Sequence, residues 1–213
     1  MPQMPAPDRV AAASVLLSLH PAPWFVRHSR AVAEVASWLA SRAARVGLDI
    51  DRPAVEAAAL LHDVDKALSR DDPVRRLRHG EASAAWLTEH GFGELAPLVA
   101  WHPVTRLADG RAADEWLASG PQESLLVAYA DKRAGQRLES MDERFASWTR
   151  RYPLGAKHGW DEATATAVLE RARRLEREVC TRLGIDPKDV RRIPWTLPAL
   201  RAAGGRAGDG VVG

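Results

Sequence analysis

The chain has 213 residues, enough for one domain with appendages, and 46% of them are hydrophobic, enough for a sizeable core. Its 30 basic and 28 acidic residues leave a formal charge of +2, which gives no reason to invoke nucleic acid or an anionic membrane as a partner. The single cysteine, Cys180, excludes an internal disulfide and a thiolate metal cluster.

Clusters of β-branched residues with period-two alternation are missing, and Ala, Leu, Glu and Arg dominate, so the composition predicts an all-α fold. The stretch "VAAASVLLSL" has the apolar character of a signal segment, but no basic excess precedes it; it is read as a first helix over about 8–19, stopped by "HPAP". A second helix is expected over about 24–46, with Gly47 just past its end. A third starts after Asp51, an N-cap candidate, and carries "LLHDVDKAL". Further helices are expected over about 80–90 and 93–101. A loop with a short helix around Trp116 follows, then a long helix from Pro121 through "ESLLVAYADKRAGQRL", and another over about 141–150. The last long helix spans about 161–183. Val168, Ala172, Leu175, Val179 and Leu183 form its apolar stripe, and "ERARRLERE" reads as a solvated face with i,i+4 pairs. Residues 204–213 read as a disordered tail. Trp160 and Trp195 are surface candidates. No run approaches a transmembrane length, so a cytoplasmic protein is expected.

The chemistry is suggested by a recurring arrangement. "AVEAAALL" leads into His62-Asp63, "LAPLVAW" into His102 and "LLVAYA" into Asp131, so apolar helical runs end in groups of metal-ligand type. A carboxylate carried into apolar surroundings is costly unless paired or bound to a cation. A shared metal ion would relieve these costs together. On a continuous helix Lys66 shares a face with His62 and Asp63, where an ammonium suits a phosphate. Taken singly, each group has an ordinary reading. A lone His is most often a cap or surface residue, Lys66 a helix-end cation, and Asp131-Lys132 a surface acid and base.

The ordered set H…HD…H…H…D resembles the HD-domain superfamily of metal-dependent phosphohydrolases. It is carried by His28 in "RHSRAVAEVA", His62-Asp63 in "LLHDVDK", His79 in "RHGEASAAWL", His102 in "VAWHP" and Asp131 in "AYADK". The resemblance implies an HD-domain helical bundle over 24–150. Around it lie an N-terminal helix and linker over 1–23 and a C-terminal helical extension over 151–203. It also implies that His28, His62, Asp63 and Asp131 hold a first metal, and that His79 and His102, with Asp63 bridging, hold a second. Some members carry a further His directly after the position of His102; Pro103 stands there, leaving the second site thinly ligated. His79 is preferred to His90 because "HGEASA" fits the family pattern and Gly80 allows close approach. His90, His20 and His158 read as helix-end or loop residues.

The implied cofactor is one or two divalent transition metals, Fe, Mn, Zn or Ni; His-rich ligation argues against Mg as the sole ion. The implied activity is hydrolysis of a phosphate ester or anhydride, with a dinucleoside polyphosphate or nucleoside monophosphate as substrate. Asp63 and Lys66 would be catalytic, and Lys66, Arg133 and Arg137 would bind substrate. Asp65, two residues after Asp63, is expected to point away from it, as a supporting group or a charge partner. The alternatives are a non-catalytic HD-like module binding a nucleotide or protein, and an RNA-associated protein using the Arg-rich 171–192 region. The interleaved acidic residues weaken the last reading.

Overall fold

The computed structural model describes residues 7–190 apart from Gln136 and His158. The disordered-tail expectation for 204–213, His158 and Trp195 lie outside the described residues. The fold is all-α, with no strand among the described residues and a single isolated bridge between Ala134 and Leu138.

Helix α1 (Arg9–Ser18) is capped by the Asp8 carboxylate, which accepts from the Ala11 amide. It stops before Pro21 and Pro23, with His20 at a positive φ of 50°. Pro23 then occupies the first turn of α2 (Pro23–Arg45), where a missing amide proton costs nothing. Helix α3 (Arg52–Leu61) begins at Asp51, whose side chain accepts from the Ala54 amide. Ala57 through Leu61 are all buried, so α3 is apolar nearly all round. After two 3₁₀ turns, Val64–Ala67 and Pro73–Arg76, come α4 (Glu81–Glu89) and α5 (Ala96–Val99). The 3₁₀ turn Val104–Ala108 and α6 (Gly110–Ser119) fill a stretch expected to be mostly loop. They are followed by α7 (Gln122–Arg133), α8 (Met141–Arg151), α9 (Glu162–Leu183) and the short α10 (Pro187–Val190).

The centre is α2 against α3 and α7, with α1 on the outer side of α3. Helix α9 packs across α7, α6, α8 and the 3₁₀ turn at 104–108. Its stripe Val168, Ala172, Leu175, Val179 and Leu183 is buried in the same apolar cluster as Val32, Leu39, Leu61 and Val127. The polar face of α9 does more than hold i,i+4 pairs. Arg182–Glu178 is such a pair, but Arg171 clasps Asp114 on α6 through two nitrogens and Arg173 meets Asp142 on α8. Trp160 is buried and stacked on Tyr152 at 4.9 Å, contrary to its reading as a surface residue.

Candidate metal centre

Two helix ends fall where the sequence suggests continuation, and both place ligand-type groups. Helix α3 stops at Leu61, with His62 as its C-cap; Asp63 leaves helical geometry at φ −105° and ψ 18°. The chain then tightens into the 3₁₀ turn, and the Lys66 amide donates to the Asp63 carbonyl at 2.8 Å. Lys66 therefore reaches Asp63 through this turn, not along a continuous helix face, and its Nζ lies 2.7 Å from Asp63 Oδ2. Helix α7 ends at Arg133, two residues after Asp131, so Ala134, Gly135, Arg137 and Leu138 lie outside the helix that was expected to run through them.

Gly80 brings the loop of His79 against that of His102. Its φ is +90°, and a Cβ there would meet the Ala100 carbonyl oxygen at 2.7 Å and the Pro103 ring at 2.8 Å.

The Asp63 carboxylate is the hub. Its Oδ2 faces His28 Nε2 at 3.5 Å and His62 Nε2 at 3.5 Å. Its Oδ1 faces His79 Nε2 and His102 Nε2, both at 3.0 Å. Asp131 Oδ1 closes the first group, 3.4 Å from His28 Nε2 and 3.6 Å from His62 Nε2. Three of the imidazoles are oriented from behind. His62 Nδ1 is 2.7 Å from the Ala59 carbonyl and His102 Nδ1 is 2.7 Å from the Val99 carbonyl. A carbonyl oxygen only accepts, so in both rings Nδ1 carries the proton and Nε2 is turned toward the carboxylates. His79 Nδ1 meets the Asp65 carboxylate at 2.9 Å, and Ser83 also donates to Asp65. Asp65 thus steadies a histidine and, contrary to expectation, does not point away from Asp63: their carboxylate oxygens lie within 4.8 Å of each other and of a His79 nitrogen.

The charges in this cluster are mutually dependent. Burial works to raise the Asp63 carboxyl, and His62 and the Lys66 ammonium beside it override that and hold it well below the usual range. Burial likewise opposes ionisation of Asp131, while hydrogen bonds from His28 and His62 hold it low. Burial works to lower His28, yet Asp131 and Asp63 push it up to about 9. His79 is also pushed up to about 9, burial being outweighed by Asp63 and Asp65. Fully buried His102 is pushed down to about 4 by burial. A neutral His102 protonated at Nδ1 turns a lone pair on the Asp63 oxygen 3.0 Å away. Two acceptors at that distance need a shared cation; in the metal-free protein the His79 Nε2–H, 3.1 Å from His102 Nε2, fills that role. Nitrogen and carboxylate donors gathered this closely, with their far sides fixed, suit a divalent metal ion. Three overlapping groups could hold one: His28, His62 and Asp131; His62, Asp63 and His102; Asp63, Asp65 and His79.

The HD domain family model matches residues 25–135, just over half of the chain. The chain belongs to the HD-domain family. No curated protein and no solved structure matches it. HD domains are generally metal-dependent hydrolases, and His28, His62, Asp63, His79, His102 and Asp131 all fall inside the HD match.

Over the HD cluster opens a cavity of about 330 Å³, reached by His28, Asp63, Lys66, His79, His102 and Asp131. Two expected substrate groups are not in its wall. Arg133 is buried with every guanidinium nitrogen engaged: Nη1 donates to the Tyr129 hydroxyl at 2.6 Å and to Glu176 at 3.0 Å, Nη2 to the Pro187 carbonyl and Nε to the Glu139 carbonyl. It ties α7 to α9 and is unavailable to a phosphate. Arg137 is solvent-exposed, 3.6 Å from Glu139, and also outside the cavity lining. His90 stacks on Trp86 at the end of α4 and bonds the Trp86 carbonyl, away from the HD cluster, and His20 is exposed. Lys132, for which the ordinary alternative was a surface cation, is fully buried and donates to the His102 carbonyl. Burial pushes its ammonium down to about 8, with Asp131 opposing. A lysine directly after an aspartate carries no local signal of burial. No helix of the described residues is long and apolar enough to cross a membrane.

Proposed function

We propose that this HD-domain protein is a phosphohydrolase that cleaves a phosphate ester or anhydride of a nucleotide with the help of one or two divalent transition metals. The observation that carries the reading is the Asp63 carboxylate, whose two oxygens each face a separate set of imidazoles. A carboxylate so placed could serve two metal ions at once, one with each set of imidazoles. His28, His62 and Asp131 would hold the first and His79 and His102 the second, where Pro103 after His102 leaves the ligation thin and the Asp65 carboxylate lies close to Asp63 and His79.

Metals held there would supply Lewis-acid polarisation of a phosphoryl oxygen and of the attacking water. The protein's own groups do the remaining work. Asp63 keeps both imidazole sets in register and stays ionised at neutral pH. Asp65 holds the proton on His79 Nδ1, which keeps Nε2 turned inward. Lys66, 38% exposed at its side chain and bonded to Asp63, lines the cavity beside the imidazole–carboxylate cluster as a cation for phosphoryl oxygens. Burial of His62, Asp63 and His102 keeps bulk water from competing for the same positions.

The test is hydrolysis of nucleoside monophosphates, dinucleoside polyphosphates and 4-nitrophenyl phosphate with Mn(II) or Fe(II) added. The proposal expects turnover of a phosphate substrate that Lys66→Ala lowers by about 10²-fold or more. Silence across the panel with metal bound would replace it by a binding module.

A further inference from the structure

The cavity wall extends beyond the HD-matched segment. Directly before that segment stands Trp24, and well after it comes α8, both lining the cavity over Asp63. Helix α8 presents Arg144, Ser147, Trp148 and Arg151 to it, at spacings of three, four and seven residues, which is one helix face. The face is anchored to the ligand-bearing helix. Arg144 donates to Glu139 at 3.3 Å and reaches the Asp131 carbonyl at 3.5 Å. Gly135 packs closely under this contact, since a Cβ there would lie 2.6 Å from Arg144 Nη1.

The chemistry of this wall differs from that of the centre. Trp24 is 47% exposed, its ring set edge-to-face against Phe25 at 5.7 Å. Arg151 is exposed and has no ion pair among the described residues. It sits two turns from Arg144, about 10 Å further along the helix. The Nε of Arg144 is buried without a hydrogen-bond partner. An aromatic face and unspent guanidinium donors therefore flank a cavity whose floor already accounts for one phosphate, through Lys66 and the imidazole–carboxylate cluster.

We infer that Trp24 and the Arg144–Arg151 face of α8 form a subsite for the part of the substrate beyond the scissile phosphate, one that takes a planar ring together with a second anionic group. The inference rests on the phosphohydrolase reading and extends it from the reacting phosphate to the rest of the molecule. Trp24 stacks on the ring, and Arg151 pairs with the second anion. A cavity of about 330 Å³ is at the small end for ligand sites and suits one such nucleotide rather than two joined nucleosides.

The experiment is calorimetric binding to the metal-loaded full chain, with inorganic phosphate and with nucleoside diphosphates as probes, and with metal content measured for each variant. Wild type should bind a nucleoside diphosphate at least about tenfold more tightly than inorganic phosphate. Trp24→Ala and Arg151→Ala should each cut that ratio by about tenfold, and Trp24→Phe should restore most of the first loss. Neither side chain is buried, so both variants should fold. A ratio near one in wild type, or a ratio unmoved by both alanine variants, overturns the subsite. Parallel weakening of both probes overturns it too, since the wall would then be only structural. Failure of the underlying reading looks different: neither metal nor inorganic phosphate binds at all.

Discussion

Asp63 is almost fully buried and ionised, and His28 and His79 carry protons that balance it when no metal is bound. Metal and proton therefore compete for the same nitrogen atoms. At pH 7 metal binding should release about two protons, one from each ring, so the binding heat should vary with the ionisation enthalpy of the buffer. Affinity should fall as the pH is lowered. The sign for the metal-free fold is the reverse. Both histidines sit above their ordinary 6.5, at about 9, so the stability they contribute is fully present below about pH 6.5 and is lost as the pH rises through 9. Denaturant titrations of the metal-free protein between pH 6 and 9.5 check this, and flat stability across the range would contradict it. At this scale the ligand-type residues were legible in the sequence, because apolar runs deliver them and their order is distinctive. Arg133 and Lys132 were not, because a charged residue in a helical run looks the same whether it faces solvent or threads between helices.

Helix boundaries were legible where the chain carries its own punctuation. Asp161 and Gly184, the latter at φ +60°, bracket α9, and Asp51 opens α3. They were not legible at His62 and Arg133. No proline or glycine directly follows His62, where the chain tightens into a 3₁₀ turn, and Gly135, two residues past Arg133, lies inside a run that otherwise reads as helix. Gly80 belongs to both kinds, suspected of close approach from its neighbours and found at φ +90° against the Ala100 carbonyl. Gly80→Ala should therefore destabilise the protein by about 1–3 kcal/mol and loosen the His79–His102 contact. A thermal melt should fall by several degrees, with metal occupancy reduced; an unchanged melt would mean that the loop relaxes freely.

Across the whole molecule, one apolar cluster runs from α1 through α9, so the helices flanking the HD match share its core. Arg133 is the polar counterpart of that continuity, joining α7, Glu139, Glu176 on α9 and Pro187. Arg133→Ala leaves Glu176 and the Tyr129 hydroxyl without this partner and should cost about 3 kcal/mol in chemical denaturation, while metal binding persists in the folded fraction. A loss of metal without loss of stability would instead return Arg133 to the site. The α8 wall and Trp24 had no local signature in the sequence, since only the folding of distant segments around Asp63 brings them to the cavity. The central claim is that the carboxylate of Asp63 joins two metal positions. Elemental analysis of metal-reconstituted protein tests it most directly: the account predicts about two divalent metals per chain in wild type and a loss of both in Asp63→Ala, whereas a single metal or none in wild type, or unchanged content in Asp63→Ala, would contradict the two-metal claim.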